Sequence, residues 1–135
     1  MTVSSTEDNK ATTRSFYESY STGVQAAFDT YVSTELVNHS MGDAVGHGPW
    51  LEYDLAAEAA LPDQKITVHE QVAEGDKVVS RWTLQGTNTA PFMGKPATGN
   101  SLTLDAIVID VVRDGKIVEH TIVGDLGTFM AGFDS

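Results

Sequence analysis

Hydrophobic positions divide the chain into a helical first half and a strand-rich second half. From Glu7 to Thr22, apolar and aromatic residues recur at helical spacing, and Gly23 is a typical helix stop. The pattern predicts a second short helix from Val24 to Val32. It predicts a third from Trp50 to Leu61, which Pro62 ends.

The segment between the second and third predicted helices is rich in glycine, so we expect it to be irregular, with a short strand near Leu36 to His39. After the third helix the pattern changes to β-branched runs. "KITVHEQV" and "KVVSRWTLQGTN" flank "AEGD", which predicts a hairpin. "LTLDAIVIDVV" predicts a further strand, and "RDGK" predicts a turn that joins it to a strand at "IVEHTIV". "DLGTFMAGF" predicts a last helical turn.

This order of elements predicts an α+β domain with helices packed on one face of a curved antiparallel sheet. The chain contains no internal repeat and no linker, so we expect a single domain over residues 1–135. Residues 1–8 are polar, and we expect them to be flexible.

The strand Leu102–Val112 is apolar on both faces. Its even positions include Leu104 and Val108, and its odd positions include Ile107 and Ile109. An antiparallel strand with one wet face should alternate between apolar and polar residues. We therefore expect the helices to cover one face and a second copy of the sheet to cover the other, which predicts a homodimer. The alternative is a C-terminal segment folded across the same face.

Composition excludes several classes of protein. The chain has no cysteine, which rules out disulfides and thiolate metal sites and fits a cytoplasmic protein. The formal net charge of −11 is unfavourable for binding nucleic acid or an anionic membrane. No apolar run is long enough to span a bilayer, and the N-terminus lacks the order of a secretory signal. The four histidines show no metal-ligand spacing, so we expect no metal site.

Six motifs resemble those of one known family, the SnoaL-like polyketide and ester cyclases of the NTF2-like superfamily. They run in order from Phe16 to Asp125 and read "FYESYSTG", "LVNHS", "GHGPW", "VAEGDKVVSRWTLQGTN", "FMGKPATG" and "DGKIVEHTIVGD". The resemblance implies a cone: a strongly curved antiparallel sheet wrapped around helices, with an apolar pocket between them. It also implies a hydrophobic small-molecule substrate, no metal or organic cofactor, one acid/base residue and pairing of sheets in a dimer.

Two positions depart from the aldol-type cyclases of that family. The resemblance implies a histidine on the strand before the "DGK" turn, where this chain has Val108, and an aspartate two residues after "EH", where it has Ile122. We therefore interpret Val108 and Ile122 as pocket-wall residues. Neither of the two residues that the aldol mechanism uses in those relatives is present at the matching position of this chain.

His120 and Asp110 are the candidate acid/base residues. If the face that His120 shares with Val118 and Ile122 lines the cone, its imidazole can transfer protons near neutral pH. The alternative is a histidine that only packs there. Asp110 could lie at the edge of the cavity and pair with His120 across the hairpin. The alternative is an aspartate at a strand end that reaches solvent or an arginine.

Asn38 and Arg81 are candidates for polarising a substrate oxygen. Asn38, in "LVNHS", could instead serve turn chemistry, and the same holds more strongly for His39. A buried Arg81 would need a carboxylate partner, such as Asp105 or Asp110.

Five further residues are candidate substrate contacts, with ordinary core packing as the alternative for the aromatic ones. They are Trp50, Tyr53, Trp82, Phe92 and Met93. Trp50 and Tyr53 share one side of the third helix. Phe92 and Met93 lie in a Pro/Gly loop that could form a lid or a dimer contact. Asp125 is favoured as the N-cap of the last helix over a catalytic role.

Three functions remain open at the level of sequence. The first is a cofactor-free enzyme that cyclises, isomerises or dehydrates a hydrophobic natural-product intermediate. The second is a related epoxide hydrolase or hydroxylase, which would need Asp110, Arg81 and Asn38 to converge in the cavity. The third is a ligand-binding protein without turnover, which a cavity lined by apolar groups and one lone histidine would favour.

Overall fold

The helices and strands follow the predicted order. The computed structural model describes residues 5–134. The helices are α1 (Thr6–Glu18), α2 (Val24–Tyr31), α3 (Gly48–Ala60) and α4 (Leu126–Ala131), with short 3₁₀ turns at Ser19–Ser21 and His39–Met41. The strands are β1 (Val32–Asn38), β2 (Ala44–Val45), β3 (Lys65–Glu74), β4 (Lys77–Thr87), β5 (Ser101–Arg113) and β6 (Lys116–Gly124). The α+β prediction is confirmed.

Side-chain caps fix where the first and last helices begin. Ser5 Oγ accepts a hydrogen bond from the Asp8 backbone N–H at 3.0 Å. Asp125 Oδ1 accepts one from the Thr128 N–H at 3.2 Å, as the N-cap interpretation predicts. Hydrogen bonds from the side chain and the backbone of Thr128 lower the pKa of Asp125. Of the stretch 1–8 that we expected to be flexible, residues 5–8 form the cap and first turn of α1, and residues 1–4 lie outside the described part of the chain.

Six strands form one open sheet in the order β2-β1-β6-β5-β4-β3. β1 runs parallel to β6, and the other neighbouring strands are antiparallel. Register shifts interrupt the β3–β4 ladder between Val68 and Glu70 and the β5–β6 ladder between Val111 and Val112. Such bulges increase local twist, which helps the sheet to curve around the helices.

The two faces of β5 have different environments. The even positions, from Leu102 to Val112, are buried against the helices. On the odd face, Ile107 is 47 % exposed and Ile109 is 42 % exposed. The even face is therefore the inner one, and an apolar strip remains on the outside of the sheet. Within residues 5–134, no helix is long and apolar enough to cross a membrane.

Candidate functional site

A cavity of about 510 Å³ lies between the inner face of the sheet and the helices. Its volume is in the range of pockets that bind organic ligands. Its walls are mostly aromatic and aliphatic. The lining side chains with polar atoms are Tyr17, Tyr20, Asn38, Ser40, Trp50, Tyr53, Asp54, Gln64, Trp82 and His120, and no lysine or arginine is among the described lining residues.

The β5–β6 hairpin places a buried carboxylate against the cavity-lining His120. Asp110 and His120 are register partners, and His120 Nδ1 is 2.7 Å from Asp110 Oδ1. Asp110 has no exposed surface and His120 has 2 %. Because a carboxylate only accepts hydrogen bonds, Nδ1–H is the donor, and Nε2 then carries the free lone pair. Within residues 5–134, no group hydrogen-bonds to Nε2.

Tyr17 of α1 completes the hydrogen bonding of Asp110. Its hydroxyl donates to Asp110 Oδ2 at 2.7 Å and lies 3.4 Å from His120 Nδ1. Burial, followed by the charge of Asp110, raises the pKa of Tyr17 well above its ordinary value, so this hydroxyl remains a donor. Both carboxylate oxygens of Asp110 are thereby occupied, which fixes the orientation of the His120 ring.

The indole of Trp50 stacks on the imidazole of His120. The ring centroids are 3.9 Å apart and the planes are inclined by 12°. Trp50 lies in the first turn of α3, which contains Pro49 at its start. An aromatic face beside an imidazole stabilises the protonated form through cation–π attraction and prevents the ring from rotating.

Asn38 lies beside His120 on the neighbouring strand. The two residues are register partners in the parallel β1–β6 pair, and both line the cavity. Asn38 Oδ1 accepts a hydrogen bond from the Ser40 N–H at 3.0 Å, which is the turn role considered above. This bond leaves the Asn38 amino group as a donor to the cavity, so the turn role and the substrate role are compatible.

Asp54 and Tyr20 form a second polar pair at the cavity wall. The Tyr20 hydroxyl donates to Asp54 Oδ2 at 2.5 Å. Burial raises the pKa of Asp54 to about 6, although the bond from Tyr20 and the proximity of His120 act in the opposite direction. Burial and Asp54 together raise the pKa of Tyr20. Asp54 is thus a half-buried carboxyl group that can hold a proton near neutral pH.

Arg81 is not at the site. Its side chain is exposed on the outer face of the sheet, where Nε lies 2.7 Å from Glu70 Oε1. The reason is strand parity: Trp82 takes the inner position on β4, so the neighbouring arginine must point outward. The expectation that Arg81 polarises a substrate oxygen is corrected. His39 is likewise on the surface, between Asp43 and Glu119 at 2.7 Å from each.

The predicted wall residues divide into two groups. Trp50, Tyr53, Trp82 and Ile122 line the cavity. Phe92, Met93 and Val108 do not line it. Phe92 is buried against Phe133, with ring centroids 4.2 Å apart, because the loop around it folds onto the C-terminal segment. Met93 is 63 % exposed at a turn, and Val108 is fully buried in the core.

Five polar residues of the cavity lining were absent from the sequence-based candidates: Tyr17, Tyr20, Ser40, Asp54 and Gln64. Asp54 lies one turn after Trp50 on a predicted helix, so it shares the face that borders the pocket. The spacing from Trp50 could therefore have identified Asp54 as a candidate from the sequence. Gln64 lies in the link before β3, where the sequence contains no pattern that indicates its direction.

Comparison with known proteins assigns the family. A sequence profile of the SnoaL-like polyketide cyclases matches residues 10–132. The chain belongs to the SnoaL-like polyketide cyclase family. No curated protein sequence matches it.

Solved structures of SnoaL-like and related proteins share the fold. IdmH from Streptomyces antibioticus, a candidate polyketide cyclase, is 29 % identical with a TM-score of 0.78, over 94 % of this chain and 99 % of that one. AclR from Streptomyces galilaeus, a candidate hydroxylase, is 23 % identical with a TM-score of 0.86, over 96 % and 83 % of the two chains. TsrD from Streptomyces laurentii is 22 % identical with a TM-score of 0.82, over 96 % and 97 %.

In this SnoaL-like fold, Asp110 and His120 lie two residues along the β5–β6 hairpin from the two positions that the resemblance implied. Val108 and Ile122 are register partners, and Asp110 and His120 are the next pair on the same face. The histidine is on β6 and the aspartate is on β5, which reverses the expected arrangement. Asp110 does not line the cavity but lies behind His120, so the expectation of a carboxylate at the cavity edge is wrong. The hairpin instead presents a histidine supported by a buried carboxylate, even though both expected positions are aliphatic.

Proposed function

We propose that this SnoaL-like protein is a proton-transfer enzyme that cyclises, isomerises or dehydrates a hydrophobic, polyketide-like intermediate without a cofactor. The observation that carries this proposal is the geometry of His120. Its Nδ1 is held by a fully buried carboxylate at 2.7 Å, and its other ring nitrogen remains free in a mostly apolar cavity.

The chemistry proceeds through His120 Nε2. As a neutral imidazole with Nδ1 protonated, His120 removes a proton from an activated carbon or hydroxyl group of the substrate. Asp110 stabilises the imidazolium that forms, and the stacked Trp50 ring adds cation–π stabilisation. The imidazolium then returns the proton to another atom of the same molecule, so the enzyme is unchanged after each cycle.

Asn38 acts beside His120 as an electrophile. Its amino group donates to the carbonyl oxygen next to the carbon that loses the proton, and this hydrogen bond strengthens as negative charge develops there. Asn38 and His120 are adjacent in register, which suits removal of a proton α to a carbonyl. The apolar walls exclude water and hold a flexible substrate in one reactive conformation.

The two alternative functions fit the site less well. The hydrolase or hydroxylase hypothesis required Arg81 to converge with Asp110 and Asn38, and Arg81 is paired with Glu70 on the outer face. The binding-protein hypothesis would be favoured by an apolar cavity with one lone histidine. Here His120 has a buried carboxylate partner, and Asp54 also lines the cavity.

Deuterium exchange into a model ketone tests the proposed function. We expect the protein to accelerate exchange of the activated methylene protons of 2-tetralone in D₂O, followed by NMR. His120→Gln should lower the acceleration about 10²- to 10⁴-fold. His69→Gln is the matched control, because His69 is exposed on the outer face and bonded to Thr83. Equal rates for the parent protein and His120→Gln would overturn the proposal.

We further propose that the outer face of the sheet pairs with a second copy of the chain. The face carries the partly exposed strip of β5, and it continues onto β3 with Val72 and onto β6 with Val123, each 67 % exposed. Covering such a strip removes apolar surface from water in both copies.

A further inference from the structure

Two buried N–H donors at the cavity wall have no acceptor. Within residues 5–134, neither Gln64 Nε2 nor Trp82 Nε1 has a hydrogen-bond partner. Gln64 is 3 % exposed and Trp82 is 4 % exposed, and both residues line the cavity. The other buried polar side-chain atoms of the same region are bonded or accessible. These two donors therefore differ from their surroundings.

An unpaired buried donor is costly to keep. Each one forfeits its hydrogen bond to water without gaining another, and most buried polar groups in native proteins are paired. An apolar side chain such as leucine or phenylalanine would fill either position without this cost. Two such donors at one cavity are thus readily explained if a ligand supplies the acceptor.

The fold holds both donors in place. Trp82 projects from the inner face of β4, and Tyr17 packs against its ring with centroids 5.5 Å apart. Gln64 lies directly before β3, close to Gly86 of β4. A Cβ on Gly86 would come within 3.3 Å of the Gln64 Cα and 2.9 Å of the Leu61 Cβ, so the glycine permits this close approach. Neither donor lies on a mobile loop tip.

The charges around the cavity restrict the acceptor. Trp82 Nε1 only donates, so its partner must be a hydrogen-bond acceptor and cannot be an ammonium group. No described lysine or arginine lines the cavity, while Asp54 does. An anionic ligand would therefore lie near a carboxyl group without a counter-charge. A neutral oxygen, as in a carbonyl, suits a donor of either kind.

We infer that Gln64 and Trp82 form a subsite that binds a neutral acceptor oxygen of the ligand, on the β3–β4 side of the cavity and apart from His120 and Asn38. This inference rests on the proposed function only in that the ligand occupies the same cavity. It adds a chemical class: a substrate with a second oxygen acceptor, such as a ketone, lactone or quinone oxygen, besides the group on which His120 acts.

Indole N–H signals in a ¹H–¹⁵N spectrum test the subsite directly. The chain has two tryptophans, Trp50 and Trp82, so Trp82→Phe assigns the two signals. We expect 6-acetyl-2-tetralone, which carries a second carbonyl oxygen across the ring frame from the ketone, to shift the Trp82 signal downfield. 2-Tetralone lacks that second acceptor, and it should bind without that downfield shift.

Affinities of three variants complete the test. Gln64→Leu should weaken binding of 6-acetyl-2-tetralone roughly fivefold to tenfold and leave binding of 2-tetralone unchanged. Trp82→Phe should act in the same direction. Gln85→Leu is the matched control, because Gln85 is exposed on the outer face of β4. It should change neither affinity, which would also show that a Gln→Leu change alone has no effect.

Two outcomes separate this inference from the proposed function. If 6-acetyl-2-tetralone leaves the Trp82 signal in place and Gln64→Leu binds it as tightly as the parent, the two donors meet no ligand oxygen and the inference is wrong, even if His120 accelerates exchange of 2-tetralone. If the signal shifts and the affinity falls but His120→Gln exchanges deuterium as fast as the parent, the subsite stands and the proposed enzyme does not.

Discussion

Asp110 and His120 face each other across the β5–β6 hairpin, as register partners whose side chains meet at 2.7 Å inside the protein. A buried carboxylate selects the ring tautomer and stabilises the imidazolium. Its role is therefore separate from substrate binding, which the cavity walls perform.

Replacing Asp110 should impair catalysis and spare binding. In Asp110→Asn the amide can offer Nδ1 a donor, which favours the wrong tautomer and removes the charge that stabilises the imidazolium. We expect exchange of 2-tetralone to slow about 10²-fold or more, with an unchanged dissociation constant. Asp105→Asn, on the exposed face of β5, is the control. A loss of affinity that accounts for the whole rate effect would contradict this role.

Asp54 should make stability depend on pH. Because burial raises its pKa from 3.8 to about 6 in the folded protein, the group costs no stability below about pH 4, and the cost grows until the pH exceeds about 6. Asp54→Asn does not titrate. The free energy of unfolding of Asp54→Asn minus that of the parent should therefore increase by at most ~3 kcal/mol between about pH 4 and pH 7. Urea unfolding at both pH values measures this, and a difference that stays constant would contradict the raised pKa.

His39 should titrate above the usual range for histidine. Its ring nitrogens are bonded to Glu119 and Asp43, and these two bonds, Glu119 first, raise its pKa. The imidazolium therefore ties the 3₁₀ turn at the cavity to β6 at low pH, and this contribution is lost as the pH rises through the folded pKa. Glu119→Gln and Asp43→Asn should each lower the NMR titration midpoint of His39. Midpoints that stay in place would show that the ion pairs do not form in solution.

Gly86 should not tolerate a side chain. A Cβ there would overlap the Leu61 Cβ at 2.9 Å and press on Gln64. Gly86→Ala should lower the free energy of unfolding by about 1–3 kcal/mol, as overpacking in a dense core does. Gly127→Ala, in α4, meets nothing within 4 Å and is the matched control. If the two variants are equally stable, the packing around Gln64 is looser than described.

A charge on the outer strip should separate the proposed dimer. Ile109 lies on the central strand of that strip, so Ile109→Lys would place two lysines in a sheet-to-sheet contact. We expect light scattering to give twice the monomer mass for the parent protein and the monomer mass for this variant. Val45→Lys, at the exposed edge strand β2, is the control. A monomeric parent at micromolar concentration would refute the pairing.

The sequence predicts the fold more fully than the site. Hydrophobic periodicity depends on local spacing, so the helix around Trp50 and the strands flanking "RDGK" could be placed in advance. Their alternation also put Asp110 and His120 on opposing strands. The sequence of β5 alone could not show whether the face that carries Asp110 and His120 points inward, because both faces of β5 are apolar.

Contacts between distant segments explain what the sequence did not indicate. Tyr17 reaches Asp110 across 93 positions, and Tyr20 reaches Asp54 across 34. Such pairings depend on how α1 and α3 pack against the sheet. The wrong prediction for Arg81 has a simpler cause. Arg81 and Trp82 are neighbours on β4, so only one of them can face inward, and the larger apolar ring of Trp82 occupies the inner position.

Nitrogen NMR of the His120 imidazole tests the central claim most directly. In protein labelled with ¹⁵N at histidine, and with His120→Gln to assign the signals, long-range ¹H–¹⁵N correlations report which ring nitrogen carries the proton. We expect a protonated Nδ1 and a bare Nε2 in the neutral ring, and a shift of the Nε2 signal when 2-tetralone binds. A proton on Nε2 in the neutral ring, or an Nε2 signal that ignores the ligand, would contradict a role for His120 in proton transfer.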